Sequence, residues 1–76
     1  MSADRRPDGE VRLTVNGDEQ VVPPDATVAS LIAEIGLEPR GIAVAVDGEV
    51  VPRRAWPDRS LHAGEQVEIL TIAQGG

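Results

Sequence analysis

Apolar and polar residues alternate from residue 10 to 16, and Val11, Leu13 and Val15 share one side of this segment. A period of two predicts a strand with one buried face. The Asn-Gly pair at its end favours a type I′ hairpin turn, because both turn positions tolerate positive φ. The pattern therefore predicts a hairpin whose return strand covers 19–22 and ends at two prolines, which lack amide donors.

A helical period follows this hairpin. Apolar residues recur at i, i+3, i+4 and i+7, at Val28, Leu31, Ile32 and Ile35. This spacing predicts an amphipathic helix with those residues on its buried stripe. Thr27 suits the N-cap, and Gly36 suits the left-handed residue after the last turn. A helix of about two and a half turns is marginal alone, so it needs a sheet to pack against.

A second hairpin is predicted in the other half of the chain. Residues 42–46 alternate again, Asp47-Gly48 repeats the type I′ signal, and 49–51 return before a proline. Residues 53–64 are expected to form an irregular crossing loop.

The last strand is predicted over 66–72. Val67 and Ile69 fall on one side of it, and Leu70 and Ile72 fall on the other. A strand that is apolar on both faces is typical of the middle of a sheet. We therefore expect this strand to be central and parallel to the first strand.

The order of hairpin, helix, hairpin, loop and central strand predicts a ubiquitin-like β-grasp. This is an α+β fold in which a mixed sheet of four to five strands packs on one helix. We expect a disordered lead-in over 1–9, the β-grasp domain over 10–73, and a flexible Gly-Gly tail over 74–76.

Composition excludes several functions. The 76 residues include no cysteine, so a cysteine nucleophile is impossible and disulfides cannot stabilise the fold. A net charge of −6 and a single aromatic residue argue against nucleic-acid binding. No apolar run could span a membrane, and the N-terminus lacks a signal-peptide pattern. A cytoplasmic protein, monomeric when free, is expected.

The C-terminal sequence suggests covalent chemistry. Gly75 and Gly76 place no side chain beside the terminal carboxylate. Such a tail can enter a narrow channel of a partner and present its carboxylate to a nucleotide. The expected chemistry is acyl activation: a mixed anhydride with AMP, followed by attack of a sulfur or amine nucleophile.

The sheet face away from the helix is a candidate docking surface. Four apolar residues are predicted to point outward on it: Ala43, Ala45, Leu70 and Ile72. Because this surface leads into the tail, it could orient the tail in a partner's active site.

Other notable residues favour structural interpretations. Trp56 is expected to cap one end of the aliphatic core. His62 has no second His or Cys for metal ligation, so no metal site is predicted. Arg53 and Arg54 are expected in a solvated turn. No pair of carboxylates is placed for acid–base catalysis, and Asn16 and Asp47 are interpreted only as turn formers.

Several segments together resemble the ThiS sulfur carriers of thiamin biosynthesis. The resemblance covers about residues 11–76, and its most specific parts are the stretch from Ile42 to Arg53 and the Gly-Gly end. It also includes Val15-Asn16-Gly17, Ala26-Thr27-Val28, Trp56 and Gly64-Glu65-Gln66-Val67-Glu68-Ile69. The chain departs from the family in its longer lead-in and in Gln74, where a smaller residue is common.

The resemblance implies a carrier and not an enzyme. In the family, a ThiF-like adenylyltransferase uses ATP to adenylate the last glycine, here Gly76. A cysteine-derived persulfide then supplies sulfur to make a thiocarboxylate, and a ThiG-like thiazole synthase takes that sulfur. Gly75 would serve the fit of the tail. The chain itself would bind no cofactor.

Three alternatives stay open. A MoaD-like carrier for molybdopterin, or one for tRNA thiolation or cysteine synthesis, would share the fold and tail. MoaD-like chains tend to carry aromatics in the first strand, which here reads Val-Arg-Leu-Thr-Val. A ubiquitin-like modifier would be joined to target lysines through Gly76. A β-grasp binding module with an inert tail would not need a free C-terminus.

Overall fold

The computed structural model describes residues 10–72. The predicted lead-in over 1–9, residue 73 and the predicted tail over 74–76 lie outside the described residues. The described part forms six main elements: β1 (Val11–Val15), β2 (Asp18–Val22), α1 (Val28–Ile35), β3 (Ile42–Val46), β4 (Glu49–Val51) and β5 (Gln66–Thr71).

The strands form one mixed sheet in the order β2-β1-β5-β3-β4. β5 is parallel to β1 and antiparallel to β3, and the two hairpins lie on either side of it. This confirms the predicted β-grasp, with five strands, one α-helix and the last strand in the centre.

Both hairpin turns have the predicted left-handed geometry. Asn16 and Asp47 have φ values of 51° and 52°, and the glycines after them have φ values of 87° and 85°. Such a pair matches the right-handed twist of the flanking strands. The turns therefore fix the register of each hairpin.

The predicted caps also bound α1. The Thr27 hydroxyl accepts a hydrogen bond from the Ser30 N–H, while the Ser30 hydroxyl accepts one from the Thr27 N–H. At the other end, Gly36 is left-handed, and its N–H donates to the Ile32 carbonyl at 3.0 Å. These bonds satisfy backbone groups that a short helix would otherwise leave free.

The core lies between α1 and one face of the sheet. Thirteen apolar residues are buried, contributed by all five strands, the helix, the segment before the helix and the segment before β5: Leu13, Val15, Val22, Ala26, Val28, Leu31, Ile32, Val44, Val46, Val51, Trp56, Leu61 and Val67. Within residues 10–72 no polar or charged residue is buried. The core of this region is thus packed from apolar residues and contains no internal ion pair.

The segment predicted as an irregular loop is partly helical. Arg53–Asp58 forms a 3₁₀ helix, and Ser60 pairs with Thr27 in an isolated antiparallel bridge. Trp56 is buried in this helix, and its indole N–H donates to the Val51 carbonyl at 2.9 Å. The expected structural role of Trp56 is confirmed, while the loop prediction is wrong because the ring anchors the segment.

One burial prediction is also wrong. Ile35, expected on the buried stripe, is 40% exposed because α1 ends there and the chain turns away.

β5 is the third of the five strands, so its predicted central position is confirmed. Only its face toward α1 is buried. Val67 lies on that face, whereas Leu70 is 62% exposed and Ile72 is 46% exposed, in agreement with their expected outward direction.

Candidate functional site: the outer face of the sheet and the end of β5

The outer face of the sheet, away from α1, is apolar on one half. Ala43 lies opposite Leu70 across the β3–β5 pair, and Ala45 lies opposite Val50 across the β3–β4 pair. Leu70 and Val50 are 62% and 71% exposed, and the two alanines are half-buried. We call this surface the outer patch; it comprises Ala43, Ala45, Val50, Leu70 and Ile72.

Four members of the outer patch match the outward-facing residues predicted from the sequence, and Val50 is an additional member that was not predicted. Val50 follows a turn and precedes Val51, so the short run in β4 shows no alternation that would tell the two valines apart. The hairpin register decides the question: Val51 pairs with Val44 and is buried, so Val50 must point outward.

The other half of the outer face is mostly polar. Arg12 of β1 and Glu19 of β2 form an exposed ion pair, with 3.3 Å between Nε and Oε2. Val21 is the exception, an exposed valine on the edge strand β2. The apolar character of the face is thus concentrated around β3, β4 and the end of β5.

The end of β5 is held by both of its neighbours. On the β3 side, the Ile72 N–H donates to the Gly41 carbonyl at 2.8 Å. On the β1 side, the Asn16 amide bridges to Ile69: its Oδ1 accepts from the Ile69 N–H at 2.8 Å, and its Nδ2 donates to the Ile69 carbonyl at 3.3 Å. Asn16 therefore does more than form a turn.

The start of β5 has a similar attachment. Asp47 Oδ1 accepts a hydrogen bond from the Gln66 N–H at 2.8 Å, and the Asp47 N–H donates to the Gln66 carbonyl at 2.8 Å. Odd and even residues of a strand direct their backbone groups to opposite neighbours. Asn16 therefore bonds β5 from the β1 edge through Ile69, and Asp47 bonds it from the β3 edge through Gln66.

A polar cluster lies in the loop before β5. Glu65 accepts hydrogen bonds from the Arg59 guanidinium at 3.0 Å and from the His62 N–H at 2.7 Å. Partial burial alone would raise the pKa of Glu65, but the His62 N–H and the Arg59 bond and charge outweigh it and lower that pKa. These contacts link residues within the segment from Arg59 to Glu65, and none of them involves the outer patch.

The other singled-out residues lie at the surface. His62 is exposed, as are Arg53 and Arg54. Among residues 10–72, no group of three His, Asp or Glu side chains is close enough to hold a metal ion. No α-helix of this region has the length and apolarity needed to cross a membrane. Gly75 and Gly76, the predicted reactive residues, lie outside the described residues.

The fold and the outer patch define the class of this protein. It is a small, ubiquitin-like β-grasp domain that presents an apolar sheet face where its central strand ends, five residues before Gly76. The model of the ThiS family matches residues 9–76. The chain belongs to the ThiS family.

Two curated relatives resemble this chain. A sulfur carrier protein ThiS of Thermus thermophilus is 36% identical over 50 residues, which cover 66% of this chain and 78% of that protein. A thiazole synthase of Paramagnetospirillum magneticum is 30% identical over 66 residues, or 87% of this chain. The chain matches only 20% of the length of that second relative.

Solved structures support the same assignment. The crystal structure of the thiamine biosynthesis protein ThiS from Geobacter metallireducens superposes with a TM-score of 0.74 at 29% identity. The match covers 87% of this chain and all of that one. The solution structure of a thiamine biosynthesis protein from the same organism gives a TM-score of 0.68.

Proposed function

We propose that the chain carries sulfur for thiazole formation as a thiocarboxylate on Gly76. The observation that supports this most directly is the position of β5. The central strand of a ThiS-family fold ends beside an exposed apolar surface, and its sequence continues into Gln74-Gly75-Gly76. Binding of a partner to that surface would bring the terminal carboxylate to the partner's active site.

The proposed chemistry has three steps. First, the Gly76 carboxylate attacks the α-phosphate of ATP, and pyrophosphate leaves. Second, a persulfide attacks the acyl carbon of the adenylate, and AMP leaves to give an acyl disulfide. Third, a thiol reduces that disulfide, which releases the thiocarboxylate and a new disulfide. The carrier supplies only the acyl group; ATP and the catalytic side chains belong to a ThiF-like adenylyltransferase.

The outer patch is proposed as the docking surface for the activating enzyme and for a ThiG-like thiazole synthase. Val50, Leu70 and Ile72 are the large side chains there, and each has enough free surface to be buried by a partner. The similarity between this chain and one segment of a thiazole synthase supports the second partner. The delivered sulfur would be that of the Gly76 thiocarboxylate.

The test is the intact mass of the chain after incubation with ATP, a persulfide sulfur source, a thiol and the candidate adenylyltransferase. We expect one carboxylate oxygen to be replaced by sulfur, and fragmentation should locate the change at Gly76. Omission of ATP and deletion of Gly76 are the controls, and both should abolish the mass change.

Three outcomes would contradict the proposal. Sulfur elsewhere in the chain, or sulfur acquired by a chain extended past Gly76 and not cleaved, would exclude a C-terminal thiocarboxylate. Stable attachment of Gly76 to lysines of other proteins would instead indicate a protein modifier. Transfer of the sulfur to a product other than the thiazole would indicate a different sulfur pathway.

A further inference from the structure

We infer that Asn16 is a positioning residue for the reactive C-terminus. It would act through Ile69, by fixing the end of β5 and hence the direction in which residues 73–76 leave the sheet. This inference rests on the proposed function for its activity readout. Its structural part can be measured on the free chain.

The first support is the short pairing between β1 and β5. The ladder contains only two residue pairs, Thr14 with Gln66 and Val15 with Val67. At Asn16 the backbone turns away into the first hairpin, with φ of 51°. A regular β1 neighbour is therefore missing from Ile69 onward, where β5 leads to the C-terminus.

The Asn16 side chain bonds the β5 backbone at the point where the β1 backbone no longer does. Its amide offers one acceptor and one donor, and these pair with the N–H and the carbonyl of the same residue, Ile69. This two-bond arrangement imitates what a continuing strand would provide. It holds the β1-side edge of β5 three residues before Ile72.

The β3 side supplies the other attachment. β3 pairs with β5 as far as Ile42 and Thr71, and Gly41 accepts from the Ile72 N–H. With contacts on both edges, the end of β5 cannot swing toward or away from β3. With Asn16 removed, only the β3 edge would restrain it, and the C-terminus would sample a wider range of directions.

Asp47 provides a matched control within the same molecule. Like Asn16, it has φ near 50°, donates its own N–H to a β5 carbonyl at 2.8 Å and accepts from a β5 N–H at 2.8 Å. It differs in its target, because it holds Gln66 at the start of β5. Glycine tolerates positive φ, so Asn16→Gly and Asp47→Gly each remove the side-chain bonds without forcing the turn to change.

The first measurement uses the free chain. In Asn16→Gly we expect the Ile69 and Ile72 amides to exchange faster with solvent, while the Val67 amide, deeper in the sheet, changes little. In Asp47→Gly we expect faster exchange at Gln66 and no change at Ile72. Unchanged Ile72 exchange in Asn16→Gly would overturn the inference, whether or not the chain carries sulfur.

The second measurement separates docking from presentation of the tail. We expect Asn16→Gly to lower the maximal rate of adenylate formation about fivefold to tenfold at saturating carrier, because misdirected reacting groups are costly. Its affinity should match the wild type when measured by competition with a carrier that lacks residues 75–76. Asp47→Gly should be unaffected in both quantities.

The outcomes distinguish the two proposals. A wild-type chain that is never adenylated would refute the proposed function, while the exchange measurement would still test the position of the β5 end. Equal rates for wild type and Asn16→Gly would refute the positioning role. Equal rate losses in both glycine variants would also refute it, because that pattern would reflect a general loss of sheet stability.

Discussion

Replacement of Leu70 by aspartate should weaken partner binding about tenfold or more while the domain stays folded. Full burial of a leucine contributes about 1.5–3 kcal/mol. Because Leu70 is 62% exposed, a partner that covers it would gain about 1–2 kcal/mol from its free surface. That energy corresponds to about fivefold to thirtyfold in affinity, and a desolvated carboxylate adds to the loss.

The cost to the fold should be small by comparison. Leu70 points away from the core, so its replacement opens no cavity, and we expect a loss of about 1 kcal/mol from the poorer strand propensity of aspartate. A domain of this size is stable by about 4–11 kcal/mol. Leu70→Asp should therefore remain folded, and its denaturant midpoint should shift only slightly.

Two aspartate variants serve as controls. Val21→Asp introduces the same charge on the same outer face, at a 45% exposed position outside the outer patch, so its binding should stay near the wild-type value. Val67→Asp places a carboxylate at a position that is 1% exposed and should cost several kcal/mol or prevent folding.

The assay combines calorimetric titration of the adenylyltransferase with denaturant unfolding followed by fluorescence. Trp56 is the single aromatic residue of the chain and is buried, so its emission reports the loss of the core directly. A folded Leu70→Asp chain with wild-type affinity would refute the docking surface. Equal weakening by Val21→Asp and Leu70→Asp would show that charge, not the outer patch, governs binding.

Three further predictions follow from the sheet, the loop cluster and the tail. Amide exchange should be slower at Val67 than anywhere in β2 or β4, since β2 and β4 are the edge strands of the sheet and β5 is paired on both edges; exchange of Val67 at edge-strand rates would contradict the topology. Because its pKa is lowered by folding, Glu65 stabilises the fold above the ordinary glutamate pKa of about 4.3. In denaturant titrations, Glu65→Gln should thus lower the free energy of unfolding by about 1 kcal/mol at neutral pH. This difference between wild type and variant should disappear as the pH falls through the lowered pKa of Glu65. A difference that stays constant at all pH values would contradict the prediction. Under the proposed function, Gly75→Val should keep the unfolding midpoint but block adenylation of Gly76, because a β-branched side chain would fill the proposed partner channel and restrict φ; normal thiocarboxylate yield, read by intact mass, would refute the role proposed for Gly75.

Local patterns predicted most of the fold because their causes are local. The Asn-Gly and Asp-Gly pairs require positive φ, and Thr27 and Gly36 satisfy backbone groups within one helical turn. The alternation in β1 and β3 follows directly from a sheet with one buried face. These features depend on neighbours a few residues away, so the sequence contains what is needed to infer them.

The errors arose where a residue's environment depends on distant segments. Ile35 fits the helical stripe, yet it is exposed, because only the end of α1 and the path of the chain after it decide whether the sheet covers that residue. The role of Asn16 was missed for a similar reason. Its partner Ile69 lies 53 residues away, and only the fold brings them together.

The attachments of β5 also explain how one strand can serve both the core and the outer patch. Along a strand, a slip of one residue in register moves every side chain to the opposite face. In β5 such a slip would expose Val67 and turn Leu70 inward, which would damage the core and the outer patch together. The β3–β5 ladder and the buried side chain of Val67 oppose such a slip. Asp47 holds Gln66 from one edge, and Asn16 holds Ile69 from the other, so two side-chain attachments three residues apart reinforce the register. The hairpin turns therefore do more than reverse the chain, because their side chains also hold the two ends of the strand that carries Val67 and Leu70 on opposite faces.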